Sequence, residues 1–317
     1  MNSSSTGKTP LNVMLSETLT VLEWTRRSTC PRKIFVIFPC VVCLFVNGLL
    51  LWTLLSKAIL RETPRYCLLF NLLLSDTLHM SLSQMLYMLA TSRTHLYFPV
   101  CALLTLITDV SNEVSPLTVV AMSLERYVAV CFPLHHATLL GGRRASVVAV
   151  LLWALCLLNL VVRVGLLMQF PFHTLDTLMM NDYCSSLVIR IAPLSTAYDQ
   201  VYSAFLFVSS AMVILWSYVM VMMAARRCAS EKSVKARNTL LLHLFQLVLS
   251  LSATIYLPLL VGLARLMALP RLTYVRIQNV LYVLLMTLPR ALSVLIYGIK
   301  DQTMKSTMLA IIFCKKQ

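Results

Sequence analysis

Seven runs of predominantly apolar sequence divide this chain, at 34–55, 66–90, 99–131, 145–168, 200–225, 239–263 and 274–299. A helix needs about 20 apolar residues to cross the hydrocarbon core of a bilayer, and each run is long enough. Inside lipid the backbone must satisfy its own hydrogen bonds, which restricts each run to helix. The chain is therefore expected to be an all-α membrane protein, a bundle of seven transmembrane helices. Isolated polar residues in the third, fifth, sixth and seventh runs give those helices an interior face. A soluble protein with buried helices is the alternative, and composition opposes it. Apolar residues make up 59% of the chain and charged ones 12%, against about 45–50% and about 25% in soluble domains. Disordered chains lack such apolar content, and ten cysteines in 317 residues are too sparse for a disulfide scaffold.

The formal charge of +15 would suit a nucleic-acid binder only if the bases clustered on one face of a water-soluble body. Against seven spans it distributes differently. The 1–2, 3–4 and 5–6 connections and the tail hold Lys57, Arg61, Arg65, Arg143, Arg144, Arg226, Arg227, Lys232, Lys235, Arg237, Lys300, Lys305, Lys315 and Lys316. Positive loops favour the cytoplasm, so the expectation is a multi-pass plasma-membrane protein with its N-terminus outside and no nucleic-acid partner. Arg26, Arg27, Arg32, Lys33, Arg265, Arg271 and Arg276 lie on the opposite side and oppose this bias. The expected layout is an extracellular segment at 1–33, the bundle at 34–299, and a cytoplasmic tail at 300–317 with a short amphipathic eighth helix. No basic n-region leads into an apolar core and cleavage site, so the first span is expected to serve as its own insertion signal. Asn2-Ser3-Ser4 is a glycosylation sequon on the expected outer side.

Acids within spans are costly and mark interior or functional positions. Asp76, in the middle of the second span, should face the interior with Asn47 nearby. Asp109 and Glu113 are four residues apart and share one face of the third span's outer half. Arg163, in the outer half of the fourth, is their candidate partner. Two readings follow: a Glu113–Arg163 salt bridge that fixes helix packing, or an Asp109 that lines a cavity and selects polar or cationic ligands. Asp199 and Gln200 at the outer end of the fifth span, and Tyr256 beside Pro258 in the sixth, are further candidates at cavity depth.

At the inner end of the third span, Glu125-Arg126-Tyr127 stands in the string Ala-Met-Ser-Leu-Glu-Arg-Tyr-Val-Ala-Val-Cys-Phe-Pro-Leu-His-His, 121–136. This string resembles the signature of odorant receptors within the rhodopsin-like G-protein-coupled receptors. The resemblance extends over the membrane region: Asn47, the Asn71-Leu-Leu-Leu-Ser-Asp76 string, Trp153, Ser217-Tyr218 and Lys235-Ala-Arg-Asn238 match family positions. Pro289-Arg290-Ala-Leu-Ser-Val-Leu-Ile-Tyr297, followed by Gly-Ile-Lys-Asp, looks most like fish-type odorant receptors.

The resemblance implies a receptor that binds a small-molecule odorant in the outer half of the bundle and activates a heterotrimeric G protein, of the stimulatory olfactory type, at the inner face. It is not expected to be an enzyme. Arg126, paired to Glu125 at rest, would swing to a new partner on activation, with Tyr218 and Tyr297 approaching it. Asn47 and Asp76 would hold a sodium ion and water, or else form a structural polar knot. Thr108, Asp109, Asn112, Glu113, Arg163, Asp199 and Tyr256 become ligand-pocket candidates. Cys101 lies 25 residues before Arg126, the family's spacing for the outer disulfide, so a Cys101–Cys184 bridge roofing the cavity is implied. Cys30 is left over as a free thiol, and Cys314 before Lys315-Lys316 is a palmitoylation candidate. The basic 226–237 stretch reads as an anchor to membrane lipid headgroups or as part of the G-protein docking surface.

Two departures from the family pattern stand out. Ser293-Val294 replaces the usual Asn-Pro, removing a proline kink. Amine receptors carry an Asp 18 residues before the triplet's Arg; here that position is Thr108, with Asp109 about 100° round the helix. Other function classes fit less well. Transporters usually show internal repeats and broken helices, and none is evident. No Gly-x-Ser-x-Gly, His-Glu-x-x-His or phosphate loop occurs. A non-olfactory receptor of the same class, for another small ligand, remains the runner-up.

Overall fold

The computed structural model describes residues 36–56, 62–92, 96–132, 141–169, 184, 193–227, 271–290 and 292, together with isolated positions of the sixth span. All the long described elements are helices. The first five spans run Val36–Ser56, Pro64–Thr91, Phe98–Cys131, Gly142–Met168 and Pro193–Arg227. The seventh begins with Arg271–Leu281. Four of them, the first, third, fourth and fifth, contain segments long and apolar enough to cross a membrane.

Most ends agree with the sequence reading to within about a turn; the fifth does not. It starts at Pro193, well before the expected 200, because proline is pre-set for a helix's first turn. Asp199 is thereby well inside the helix and not at its outer edge. The other notable difference is in the seventh span, where Tyr282–Thr287 is π-helical before α-helical geometry resumes. Wider turns of this kind are frequent at functional sites.

The third span is the organising helix, packing against the second, fourth and fifth. At about 1.5 Å per residue it is roughly 50 Å long, so one rigid element joins the outer and inner ends of the bundle. Four of its hydroxyls are satisfied locally: Thr105, Thr108, Ser111 and Thr118 each donate to the carbonyl four residues back, at 2.7–2.9 Å. Without water, that local bond is the cheapest way to keep a hydroxyl in a span. Pro116 sits mid-helix and leaves the Asn112 carbonyl without its usual donor.

Lipid-facing and interior faces separate cleanly. Val150, Leu158 and Val161 form an exposed row on the fourth span, as do Phe205, Val208 and Met212 on the fifth. Leu50, Leu54, Leu69, Leu72, Val119 and Met122 close the inner-half core between the first three spans. At the start of the fourth span, Gly142 packs on the Glu62 backbone so closely that a Cβ would collide with its carbonyl.

The expected eighth helix, the N-terminal segment and the tail fall outside the described residues. So do Asn2, Cys30, Tyr297, Cys314 and most of the basic 226–237 stretch.

Candidate functional site

Buried polar groups gather in three tiers along the third span. The outermost is centred on Arg163, whose side chain is 8% exposed. Its guanidinium reaches Glu113 at 2.7 Å, Asp199 at 3.0 Å and Asp109 at 3.6 Å. It also lies 5.7 Å from the centre of the Tyr202 ring, a cation–π distance. Asn159, one helical turn before Arg163, donates to both Glu113 oxygens at 3.1 and 2.9 Å. Its own carbonyl oxygen accepts from the Tyr198 hydroxyl at 2.6 Å. Three helices are thereby tied at one point by helical spacing alone: 109 and 113, 159 and 163, 198, 199 and 202.

The expected Glu113–Arg163 bridge is present, and Asp199 joins it. Glu113 and Asp199 are each 7% exposed, whereas Asp109 is 26% exposed and has the longest contact to Arg163. The most accessible carboxylate is thus also the one held most loosely by the guanidinium. Above this tier Cys101 is bonded to Cys184, with Cα atoms 5.6 Å apart. That bond fastens the 4–5 connection to the top of the third span.

The middle tier joins the second, third and seventh spans. Arg290, 5% exposed, lies with Nε 3.6 Å from Asp76 Oδ1, and its terminal nitrogen donates to the Asn112 side-chain oxygen at 2.6 Å. Ser115 also hydrogen-bonds Asp76. One turn outward, His79 Nδ1–H donates to the Thr108 carbonyl at 3.1 Å, and Ser83 meets its other ring nitrogen at 3.2 Å. Asn112, expected at the ligand cavity, is therefore engaged with Arg290. Asn47 does not bond Asp76; it donates to the neighbouring Thr77 hydroxyl at 3.2 Å. Below, Trp153 donates to the Asn71 oxygen, and Asn71 donates to Thr118, both at 2.8 Å.

The sodium ion expected beside Asp76 fits these residues poorly. A metal cation there needs several oxygen ligands, and a guanidinium offers five donors and no acceptor. Arg290 already supplies the positive charge that balances Asp76, and it would repel a second cation.

At the inner end, Glu125 Oε2 and Arg126 Nε pair at 3.2 Å. The Tyr127 ring packs on Trp216 and Phe132, with centroids 4.9 and 5.8 Å apart. Tyr218 is half-buried on the fifth span. In the outer half, Tyr256 of the sixth span meets Tyr282 edge-on, and Tyr282 stacks with Tyr87 of the second.

Sequence reading missed Arg290 as a functional group, along with Asn159, Tyr198, Tyr202, His79, Tyr87 and Tyr282. For Arg290 a signal existed, since an arginine within an apolar run is costly by itself. The tyrosines and amides carried none, because such residues are common on helix faces and acquire a role only from what faces them.

The model of the 7 transmembrane receptor (rhodopsin family) matches residues 46–295. The chain is 25% identical over 280 residues to odorant receptor 131-2 of Danio rerio, covering 86% of this chain and 83% of that protein. It is 27% identical over 220 residues to olfactory receptor 4F4 of Homo sapiens, covering 66% of this chain and 70% of that protein. With olfactory receptor 4M1 of Mus musculus it shares 28% identity over 239 residues, 70% and 74% of the two chains.

Proposed function

This chain belongs to the rhodopsin family of seven-transmembrane receptors, and from that we propose that it is an odorant receptor for small polar or cationic molecules, coupled to a heterotrimeric G protein. The carrying observation is that one continuous helix bears both ends of the mechanism. Asp109 is on its outer half and the Glu125–Arg126 pair at its inner end, about 25 Å apart along the axis. The similarity to the odorant and olfactory receptors supports the ligand class.

In this reading the odorant enters the outer half of the bundle beneath the Cys101–Cys184 bond. Asp109 contacts it, because that carboxylate is the most exposed of the three around Arg163. Glu113, Arg163 and Asp199 hold the wall on which Asp109 stands, and Thr108 and Tyr256 complete the candidate lining. A ligand signals only if it binds one arrangement of the helices better than another. Loosening the contact between Asp109 and Arg163 alters how the third, fourth and fifth spans pack, and the rigid third span carries that change inward. Arg126 then leaves Glu125 for a new partner, which opens the inner face to the G protein. The stimulatory olfactory type is the proposed partner, with the N-terminus outside.

The test is expression with the stimulatory olfactory G protein, exposure to a panel of water-soluble odorants that includes amines, and measurement of cyclic AMP. Arg126→Ala should respond to none at equal surface expression. Silence of the unaltered receptor across the panel at confirmed surface expression would defeat the proposal, as would an Asp109→Asn receptor with an unchanged agonist profile.

A further inference from the structure

We propose that Arg290 is a tethered counter-ion for Asp76, so that a side chain of the seventh span does the work of a diffusible cation and the resting state of this receptor is independent of sodium. Four observations converge on it. Asp76 and Arg290 are both nearly inaccessible, with side chains 3% and 5% exposed. They approach to 3.6 Å from different spans. The remaining reach of the guanidinium is fixed by the 2.6 Å bond to Asn112, and Asp76 is held on its other flank by Ser115. Finally, the π-helical Tyr282–Thr287 stretch lies directly outside Arg290. Its wider turns rotate the following residues by about one position, roughly 100°, relative to an unbroken α-helix. The local winding of the seventh span is therefore part of what aims Arg290 at Asp76.

The charge arithmetic favours a closed site. One carboxylate faces one guanidinium, and a guanidinium cannot lose its proton in a protein. A metal ion entering here would have to displace a positive charge that is covalently attached and always present. A bound ion leaves when its concentration falls, whereas Arg290 leaves only when the seventh span moves relative to the second. The inference concerns the middle of the bundle and does not depend on which ligand occupies the outer half.

The full-length receptor in lipid nanodiscs, without added ligand, is the appropriate sample, melted in sodium chloride or in potassium chloride at equal ionic strength. The unaltered protein should give the same midpoint in both salts. Arg290→Ser leaves Asp76 uncompensated and opens space beside it, so this variant should melt earlier in potassium and recover in sodium. The recovery should be about 2–4 °C once sodium exceeds its dissociation constant tenfold. Asp76→Asn should lower the midpoint in both salts alike, because it strands the guanidinium. The paired change Asp76→Asn with Arg290→Gln should restore part of that loss and respond to neither salt. A sodium-dependent midpoint in the unaltered receptor would overturn the proposal without reference to any variant. So would an Asp76→Asn receptor as stable as the original.

Discussion

The outer and middle tiers are each built around one buried arginine, and they differ in charge balance. Arg163 faces three carboxylates from the third and fifth spans; Arg290 faces one carboxylate and one amide. The middle tier is neutral when both of its groups are ionised. The outer tier has more carboxylates than its arginine can neutralise, and one of them, Asp109, is partly open. Burying ions is costly, and removing one partner of a buried pair leaves the other's desolvation unrepaid. A balanced pair is thus suited to hold helices in one arrangement. An acid-rich cluster with an accessible member is suited to receive something positive or hydrogen-bonding from outside. The two tiers teach that a buried arginine marks a closed lock or an open receptacle according to how many acids surround it and how exposed they are.

The largest expected effect comes from removing the outer cation. Arg163→Met strands three carboxylates in the bundle and should cost about 3–5 kcal/mol, read as loss of surface expression and of a cooperative melt in detergent. If the variant expressed normally, Arg163 would not be what compensates the outer carboxylates, and the distinction between an acid-rich receptacle and a balanced lock would fail.

A smaller loss is expected on closing a backbone contact remote from both tiers. Gly142→Ala drives a methyl into the Glu62 carbonyl and should cost about 1–3 kcal/mol, measured as a lower melting midpoint with unchanged agonist selectivity. It serves as the purely structural reference for the variants that follow.

Asp109→Asn should do the reverse. Because Asp109 is the most exposed acid in its tier, its melting midpoint should stay close to that of the unaltered receptor. The potency of amine agonists should fall by about tenfold, equivalent to roughly 1.4 kcal/mol. Glu113→Gln, altering the carboxylate that meets Arg163 at 2.7 Å, should lose stability first. Equal behaviour of the two variants in both assays would remove the functional difference between accessible and enclosed acids.

The smallest effects are single hydrogen bonds, one in each region. Trp153→Phe removes the donor to Asn71 and Tyr198→Phe the donor to Asn159. Each should cost about 0.5–1.5 kcal/mol. The Tyr198 change should additionally shift ligand potency, since Asn159 orients Glu113, whereas Trp153→Phe should leave potency unchanged.

Several of these features are legible in the sequence. Run length and polarity placed the spans, because the bilayer sets one length scale for all of them. The four-residue spacing of Asp109 and Glu113 put them on one face, and the intramembrane Arg163 identified their partner. The entry of Asp199 into that cluster was not readable, because it depends on the fifth span starting at Pro193 and on the rotation of that helix. Asn112 was expected among the ligand-pocket residues, yet its partner Arg290 is 178 residues away. The sodium expectation at Asp76 came from the family resemblance alone; the Arg290 guanidinium was visible in the motif, its direction toward Asp76 was not.

By itself the sequence determined that the chain is a bundle of seven membrane-spanning helices and which few charged residues must face inward. Those properties follow from the energy of moving each residue between water and hydrocarbon, a quantity that adds along the chain. Which of the inward charges meet was decided by the tertiary structure alone. A pairing needs two helices rotated so that their polar faces coincide within hydrogen-bond distance, and in the seventh span that rotation depends on a six-residue π-helical stretch that no periodicity in the sequence announces.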